Sequence, residues 1–240
     1  MNHFADDMAA PLIERIGQPA DVPAALRALN IRAGRPVIVA VGGAGGMTPG
    51  HQAPLTEIME QLLRTLEQWD GAIVDGGTDA GIMRLLGLAR QSTAASVPLI
   101  GVAAEGTIAL PGKPPPPDAA RLNRHHTHAI LVPGSAWGDE SLWLSIIATA
   151  IADGWPSLTL VINGGQITYD DIDHSLRANR PVIIVAGTGR TADAIAAAVH
   201  GDAPNSRAAQ IAASPDTRIV PLEDRQSLYT AIESILVPAS

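Results

Sequence analysis

The chain has 240 residues, of which 46% are hydrophobic and only 17% are charged. This length predicts one or two domains at ~150 residues per domain, and we expect a single domain over residues 1–240, since the low charge excludes charge-driven disorder. The net charge of −8 disfavours a nucleic-acid polymer as partner because that contact needs a basic surface, and the absence of Cys excludes disulfides and Cys-ligated metals.

The N-terminal stretch 1–30 predicts a leading helical segment. Asp6 and Asp7 stand where a signal peptide needs positive charge, and no apolar segment follows them. The longest apolar stretch, 142–152, is shorter than the ~20 residues of a membrane span. We therefore expect a cytoplasmic protein without a membrane span.

Short apolar runs rich in Val and Ile recur along the chain, and most end in glycine-rich turns. They are PVIVAVGG (36–43), AIVDGG (72–77), PLIGVA (98–103), HAILVPG (128–134), LTLVINGG (158–165) and PVIIVAGTG (181–189). Polar residues alternate only weakly within them, which is typical of parallel strands buried on both faces.

Helical patterns separate these strands. Leu55, Ile58, Leu62 and Leu66 recur at helical spacing after Pro54, which suits the first position of a helix. Further helices are predicted around 82–89, 142–152, 167–178, 191–199 and 224–236. The alternation predicts an α/β, Rossmann-like, doubly wound and mostly parallel sheet with helices on both faces.

Three segments fall outside this regular pattern. The helix at 142–152 is apolar nearly all round, so it is either central or at an interface, and it favours a homo-oligomer, with a dimer as the first choice. The tract GKPPPPD (112–118) predicts an extended loop beside the site. Residues 201–217 predict a surface excursion before a last helix.

A ligand of a parallel sheet binds at the carboxyl ends of the strands, where this chain carries unusual loops. They read GGAGGM (42–47), DGGTDAG (75–81), AAEG (103–106), PGSAWGDE (133–140), NGG (163–165) and AGTGRTAD (186–193). A tight turn explains any one glycine, but six such loops at one edge favour phosphate or nucleotide binding. The expected ligand-binding residues are Gly42, Gly43, Ala44, Gly45, Gly46, Met47, Gly76, Gly77, Thr78, Gly81, Glu105, Gly134, Ser135, Trp137, Asn163, Gly164, Gly165, Thr188, Gly189, Arg190 and Thr191.

The common phosphate-binding fingerprints are absent. Neither GxGxxG nor GxxxxGK[ST] occurs, and the single Lys, Lys113, lies in the proline tract, which disfavours a kinase or a P-loop ATPase. Asp75 ends a strand where a dinucleotide-binding fold places its ribose acid, but without the glycine fingerprint this coincidence is weak.

Arg190 is the best single candidate for phosphate. It follows two glycines and precedes a helix whose N-cap is predicted at Thr191, so a phosphate would meet backbone donors, the helix dipole and a guanidinium fork. The alternative is a solvated surface Arg. Trp137 is expected either to stack on a base or to pack against the neighbouring loop.

His126 and His128 share one face of a strand, but a metal would need a further ligand such as Asp139 or Glu140. Strand-end hydrogen bonding is the alternative, and no metal or cofactor is expected. The acids Asp170, Asp171 and Asp173 fit a charged helix start better than a cation site.

Taken in order, GGAGGM, VDGGTDAGIM, IGVAAEG, HHTHAILVPGSAWGDES, LVINGG and VIIVAGTGRTAD resemble the SLOG superfamily, specifically the prokaryotic relatives of the N-terminal region of melastatin-type TRP (TRPM) channels. The resemblance covers about residues 35–200. It implies a Rossmann-like fold that binds nucleotide-derived ligands, ADP-ribose among them, and in the channels this region is a ligand sensor. By position the family's loop residues match Gly42, Gly43, Gly46, Gly76, Gly77, Gly81, Gly189 and Arg190, and its histidine pair, usually written NHTH, matches His126 and His128, with His125 replacing Asn and Ala129 replacing a common aromatic.

The wider superfamily also includes phosphoribohydrolases, whose PGGxGTxxE loop supplies a catalytic Glu. Here Ile82 and Met83 occupy that stretch, which leaves Glu105 and Glu140 as candidate catalytic acids. We therefore expect a cytoplasmic sensor or binding domain for ADP-ribose or a related ribonucleotide. The alternatives are a nucleotide N-glycosidase or phosphoribohydrolase that uses a loop acid, and a purely structural oligomerising domain.

Overall fold

The computed structural model describes residues 10–43, 49–110, 112, 114–202 and 204–237. The strands in this part of the chain are β1 (Leu12–Arg15), β2 (Val37–Gly42), β3 (Ala72–Asp75), β4 (Leu99–Ala104), β5 (Ile108–Ala109), β6 (Ala120–Arg121), β7 (His128–Val132), β8 (Ser157–Ile162), β9 (Val182–Ala186) and β10 (Thr217–Pro221). Eight of them form one parallel sheet in the order β1-β7-β4-β3-β2-β8-β9-β10, while β5 and β6 pair separately.

The strand order reverses direction between β2 and β8. From β2 the chain proceeds to β3 and β4 on one side, and after β7 it crosses back to place β8, β9 and β10 on the other side. Such a reversal is the topological switch point of a doubly wound fold, where the loops at the carboxyl ends of the two central strands diverge and leave a crevice.

Helices cover both faces of the sheet. Within the described residues they are α1 (Val22–Ala28), α2 (Pro49–Gln68), α3 (Gly81–Thr93), α4 (Ser141–Ala152), α5 (Gln166–Arg177), α6 (Arg190–Ala198), α7 (Ser206–Ala212) and α8 (Arg225–Leu236). One core holds α1, α4, α5, α6 and α7, and the other holds α2, α3 and α8. Along β2, Val37 and Val39 enter the first core and Ile38 enters the second, so both faces of the strand are apolar.

This architecture confirms the predicted Rossmann-like α/β fold, and each of the six apolar runs forms a strand. Two expectations are wrong. The leading segment is not simply helical, because β1 precedes α1 and pairs in parallel with β7. The stretch 201–217 is not a mere surface excursion, because α7 buries Ala208 and Ile211 and leads into β10, which pairs with β9.

Two details of the helices also differ from the sequence-based expectation. Pro54 lies inside α2, which begins at Pro49. The apolar helix α4 packs against α5, α1 and the central strands, and Leu142 is its strongly exposed apolar residue. Its composition is thus largely explained within one chain, and the homo-oligomer stays a prediction.

The described residues include no helix with both the length and the apolar character that a membrane crossing requires. The proline tract lies between β5 and β6, two short strands that the sequence analysis did not predict, and Lys113 lies outside the described residues.

Candidate functional site

The loops that follow β8 and β9 are joined by hydrogen bonds into one frame beside the switch point. The Asn163 backbone N–H donates to Thr188 Oγ1 at 2.7 Å, and Asn163 Nδ2 donates to the Thr188 carbonyl at 2.9 Å. Thr191 Oγ1 donates to the Gly165 carbonyl at 2.9 Å. Asn163 and Thr188 are fully buried, so these polar contacts fix the frame without a ligand.

Arg190 begins α6 on this frame. The N-cap is Gly189 and not Thr191 as expected, because the Thr191 hydroxyl is engaged with Gly165. Arg190 has a φ of 49°, in the left-handed region that residues with side chains rarely adopt. The Arg190 side chain is exposed.

The Arg190 guanidinium lies against both loops that flank the switch point. A methyl group added at Gly43, just after β2, would stand 3.1 Å from Nη1. One added at Gly165, the N-cap of α5, would stand 3.0 Å from Nη2. Because neither glycine has a side chain, the guanidinium fits against both loops where α5 and α6 begin. Helix N-termini favour anions.

Asn163 adds an acceptor at the same place. Its Oδ1 is buried without a hydrogen-bond partner among the described residues and would stand 3.0 Å from a methyl group at Gly43. The switch point therefore holds a cationic fork beside a carbonyl oxygen, a combination suited to a phosphate ester that also carries hydroxyl groups.

Several other predicted loop glycines have a packing reason to lack a side chain. A methyl group at Gly42 would collide with the Ile162 carbonyl of β8, and one at Gly134 would collide with Asp139. Gly77, with a φ of 67°, packs face to face on Gly101. Packing alone thus accounts for these glycines, and their contact with a ligand stays a prediction.

The remaining predicted positions spread along the same carboxyl edge. Thr78 is buried and bridges to Leu122, Gly76 lies in the turn after β3, and Gly81 begins α3. Ala44, Gly45, Gly46 and Met47 lie outside the described residues. Ligand contacts at all of these positions stay predictions.

Asp75 stabilises the loop after β3 through a hydrogen bond. It is completely buried, and its Oδ1 accepts a hydrogen bond from the Gly77 backbone N–H at 2.7 Å and lies 2.8 Å from His126 Nε2. His128 instead contacts Thr127 Oγ1, and burial lowers the pKa of its imidazole. The two histidines therefore have separate partners, and no group of three potential metal ligands occurs among the described residues.

The loop at 133–140 is internally braced and lies beside the start of α5. The Asp139 carboxylate accepts hydrogen bonds from the backbone N–H groups of Ala136 and Ser135, which lower its pKa. A methyl group at Gly138 would stand 3.4 Å from Ile167 in the first turn of α5. Trp137, at the tip of this loop, keeps 44% of its surface exposed.

The two candidate acids differ in their surroundings. Glu105 follows β4, stays partly exposed and forms an ion pair with Arg15 of β1, its Oε1 lying 3.1 Å from Nε. Glu140 accepts a hydrogen bond from the Gly138 backbone N–H at 3.0 Å, and burial raises the pKa of its carboxyl. Burial thus shifts the pKa of Glu140 in the direction that a general acid uses.

The sequence analysis placed Asp171 at the charged start of a helix, but the structure places it on the buried face of α5. Its carboxyl is buried on α5, and burial, with a further contribution from Glu140, raises its pKa to about 7. The sequence offered one signal: Thr168, Asp171 and Ser175 recur at helical spacing, and all three lie on the buried face of α5.

Comparisons with known proteins bear on the family and the fold. The family model described as "SLOG in TRPM, prokaryote" matches residues 35–230. The crystal structure of a protein named TM1055 has a TM-score of 0.51 and 20% identity, with 83% of this chain and 99% of that chain covered, which supports the fold alone. A search of curated proteins finds no match.

Proposed function

Since the chain belongs to the prokaryotic SLOG family related to TRPM channels, a nucleotide-related family, we propose that it binds a nucleotide-derived ligand, most directly ADP-ribose or a related ribonucleotide. In this proposal the phosphate lies at the switch point and the protein acts as a cytoplasmic ligand sensor.

The observation that carries the proposal is the position of Arg190. Its guanidinium spans Gly43 and Gly165, so a phosphate there meets a fork of N–H donors and the N-termini of α5 and α6 together. A charge-assisted contact of this kind stabilises a complex by roughly 1.5–3 kcal/mol. The frame of Asn163 and Thr188 holds the helix starts in place, which reduces the cost of ordering on binding.

A ligand panel tests the proposal. The protein is incubated with ADP-ribose, NAD, AMP and cyclic nucleotides, and both the melting temperature and the chromatographic profile of each ligand are recorded. The proposal predicts a rise in melting temperature with at least one ligand and no product. If none of these ligands changes the melting temperature or binds by calorimetry, the proposal is wrong.

A nucleotide hydrolase is the second candidate, and the raised pKa of Glu140 is the observation that favours it. Glu140 is preferred to Glu105, because the Glu105 carboxyl is already paired with Arg15. If the panel reveals a product, Glu140→Gln should abolish turnover while ligand binding persists, and full activity in that variant would exclude Glu140 as the catalytic acid.

A further inference from the structure

We propose that the braced loop at 133–140 is a nucleobase subsite, in which Trp137 stacks on the base and Glu140 accepts a hydrogen bond from an exocyclic amino group. This inference rests on the proposed function and adds the part of the nucleotide that selects among ligands.

Trp137 has the properties of a stacking platform. Asp139 Oδ2 accepts hydrogen bonds from the Ser135 and Ala136 backbone N–H groups at 2.9 and 3.0 Å, so the turn that carries Trp137 is ordered in advance. Trp137 nevertheless keeps 44% of its surface exposed, although a Trp ordinarily buries most of its surface. A nucleobase stacked on it removes apolar surface from water at little ordering cost.

Glu140 supplies a polar contact on the same loop. Its Oε2 is oriented by the Gly138 backbone N–H at 3.0 Å, and the residue stays partly accessible at the start of α4. A carboxyl oxygen oriented in this way accepts a hydrogen bond, so it favours a base that presents an amino group. Adenine, cytosine and guanine carry such a group, whereas uracil and hypoxanthine do not.

The subsite and the phosphate position both lie beside the first residues of α5. The loop contacts Ile167 through Gly138, whereas Arg190 contacts Gly165, and these two residues of the α5 start are two positions apart. Two residues span at most about 7 Å, so the two contacts on α5 are close enough together for one nucleotide to border both. The loop that carries Trp137 and Glu140 and the Arg190 guanidinium thus contact neighbouring residues at one helix start.

Calorimetric titration of AMP, IMP and ribose 5-phosphate into the intact chain tests the inference. The variants are Trp137→Ala, Glu140→Gln and, as a matched control, Trp155→Ala, which removes a similarly exposed Trp just beyond the C-terminus of α4, at the opposite edge of the sheet. We expect Trp137→Ala to weaken AMP about tenfold and to leave ribose 5-phosphate unchanged. Trp155→Ala should change neither affinity, and melting curves verify that each variant is folded.

The wild-type protein should also prefer AMP to IMP, and Glu140→Gln should reduce that preference at least threefold. If ribose 5-phosphate binds but Trp137→Ala retains wild-type affinity for AMP, or if AMP and IMP bind wild-type protein equally, the base subsite is wrong while the phosphate site stands. If neither AMP nor ribose 5-phosphate binds the wild-type protein, the proposed function and the subsite fail together.

Discussion

At the scale of single residues, the backbone of Arg190 shows how this position differs from an ordinary helix start. Its φ of 49° lies in the left-handed region, where a residue with a Cβ is strained by ~1–3 kcal/mol. The surrounding hydrogen bonds hold Arg190 there, and a Gly would carry no such strain. Backbone preference alone therefore does not explain an Arg at this position.

Two variants of this residue test that strain. In ordinary helices Ala is more stabilising than Gly by up to ~1 kcal/mol, but at Arg190 we expect Arg190→Gly to be more stable than Arg190→Ala. The difference should raise the melting temperature of the Gly variant by about 2–4 °C relative to the Ala variant. A thermal melt in which Arg190→Ala is the more stable variant would show that the left-handed conformation is not imposed on this residue.

Gly42 and Gly43 are neighbours, but we expect substitution by Ala to have different effects at the two positions. Gly43→Ala places its methyl group 3.0 Å from Asn163 Oδ1 and 3.1 Å from Arg190 Nη1, so we expect the affinity for a phosphate ligand to fall about fivefold to tenfold with little loss of stability. Gly42→Ala collides with the Ile162 backbone, so it should destabilise by ~1–3 kcal/mol through the β2–β8 pair. Paired melts and titrations distinguish the two effects, and the reverse pattern would contradict this assignment.

The sequence predicted that glycines are needed at these loops but not why each one is needed. The structure shows that Gly42, Gly77 and Gly134 are needed for tight packing, whereas Gly43 and Gly165 contact the Arg190 guanidinium. In the sequence, both kinds of position are simply Gly. The distinction depends on which strand or side chain lies opposite, and this is a property of the folded sheet.

At the scale of elements, the contact between α4 and α5 contains a buried acid that makes stability depend on pH. Asp171 has a pKa of about 7 in the folded protein, against an ordinary value of 3.8. The folded state therefore binds more protons than the unfolded state between these values, so this group lowers the free energy of unfolding as pH rises from about 4 to 7.

Asp171→Asn removes that dependence. We expect the variant to melt several degrees above the wild-type protein at pH 8, and we expect this gain to shrink as pH falls toward 4. Asp216→Asn, the same change at an exposed position, should show no such trend. A gain that is constant across this pH range would exclude Asp171 as the titrating group.

Element by element, the sequence predicted the interior of the sheet better than its edges. The strands β2, β3, β4, β7, β8 and β9 are buried on both faces, so hydrophobic content alone revealed them. The edge strands β1 (LIER) and β10 (TRIVP) have one neighbour each and carry exposed polar residues, so their sequences resemble loops. Tertiary pairing, not local pattern, makes them strands.

At the scale of the whole molecule, the strand order decides which loops meet. The sequence predicted that glycine-rich loops share the carboxyl edge, and it singled out Arg190. It did not reveal that β2 and β8 are neighbours, and that adjacency brings Gly43 and Gly165 to one guanidinium. Chain crossings of this length leave no local signal, so the candidate site was predicted as a list of loops but not as an arrangement.

Self-association stays a prediction at this scale. The helix that suggested it is mostly covered within the chain, but Leu12 and Ile13 on the edge strand β1 and Leu142 on α4 remain exposed. An exposed apolar edge favours pairing with a second copy. We expect light scattering at micromolar concentration to give about twice the chain mass of 24.8 kDa, and a mass of one chain would contradict the prediction.

The central claim is that a phosphate binds to Arg190 at the switch point, and calorimetric titration of one phosphate-bearing nucleotide from the panel tests it most directly. The proteins compared are the wild type, Arg190→Ala and Arg177→Ala, the last being an exposed Arg at the far end of α5 with the same change in charge. The account predicts a tenfold to hundredfold loss of affinity, about 1.5–3 kcal/mol, in Arg190→Ala and wild-type affinity in Arg177→Ala. Equal affinities of the wild type and Arg190→Ala for that nucleotide would contradict the account.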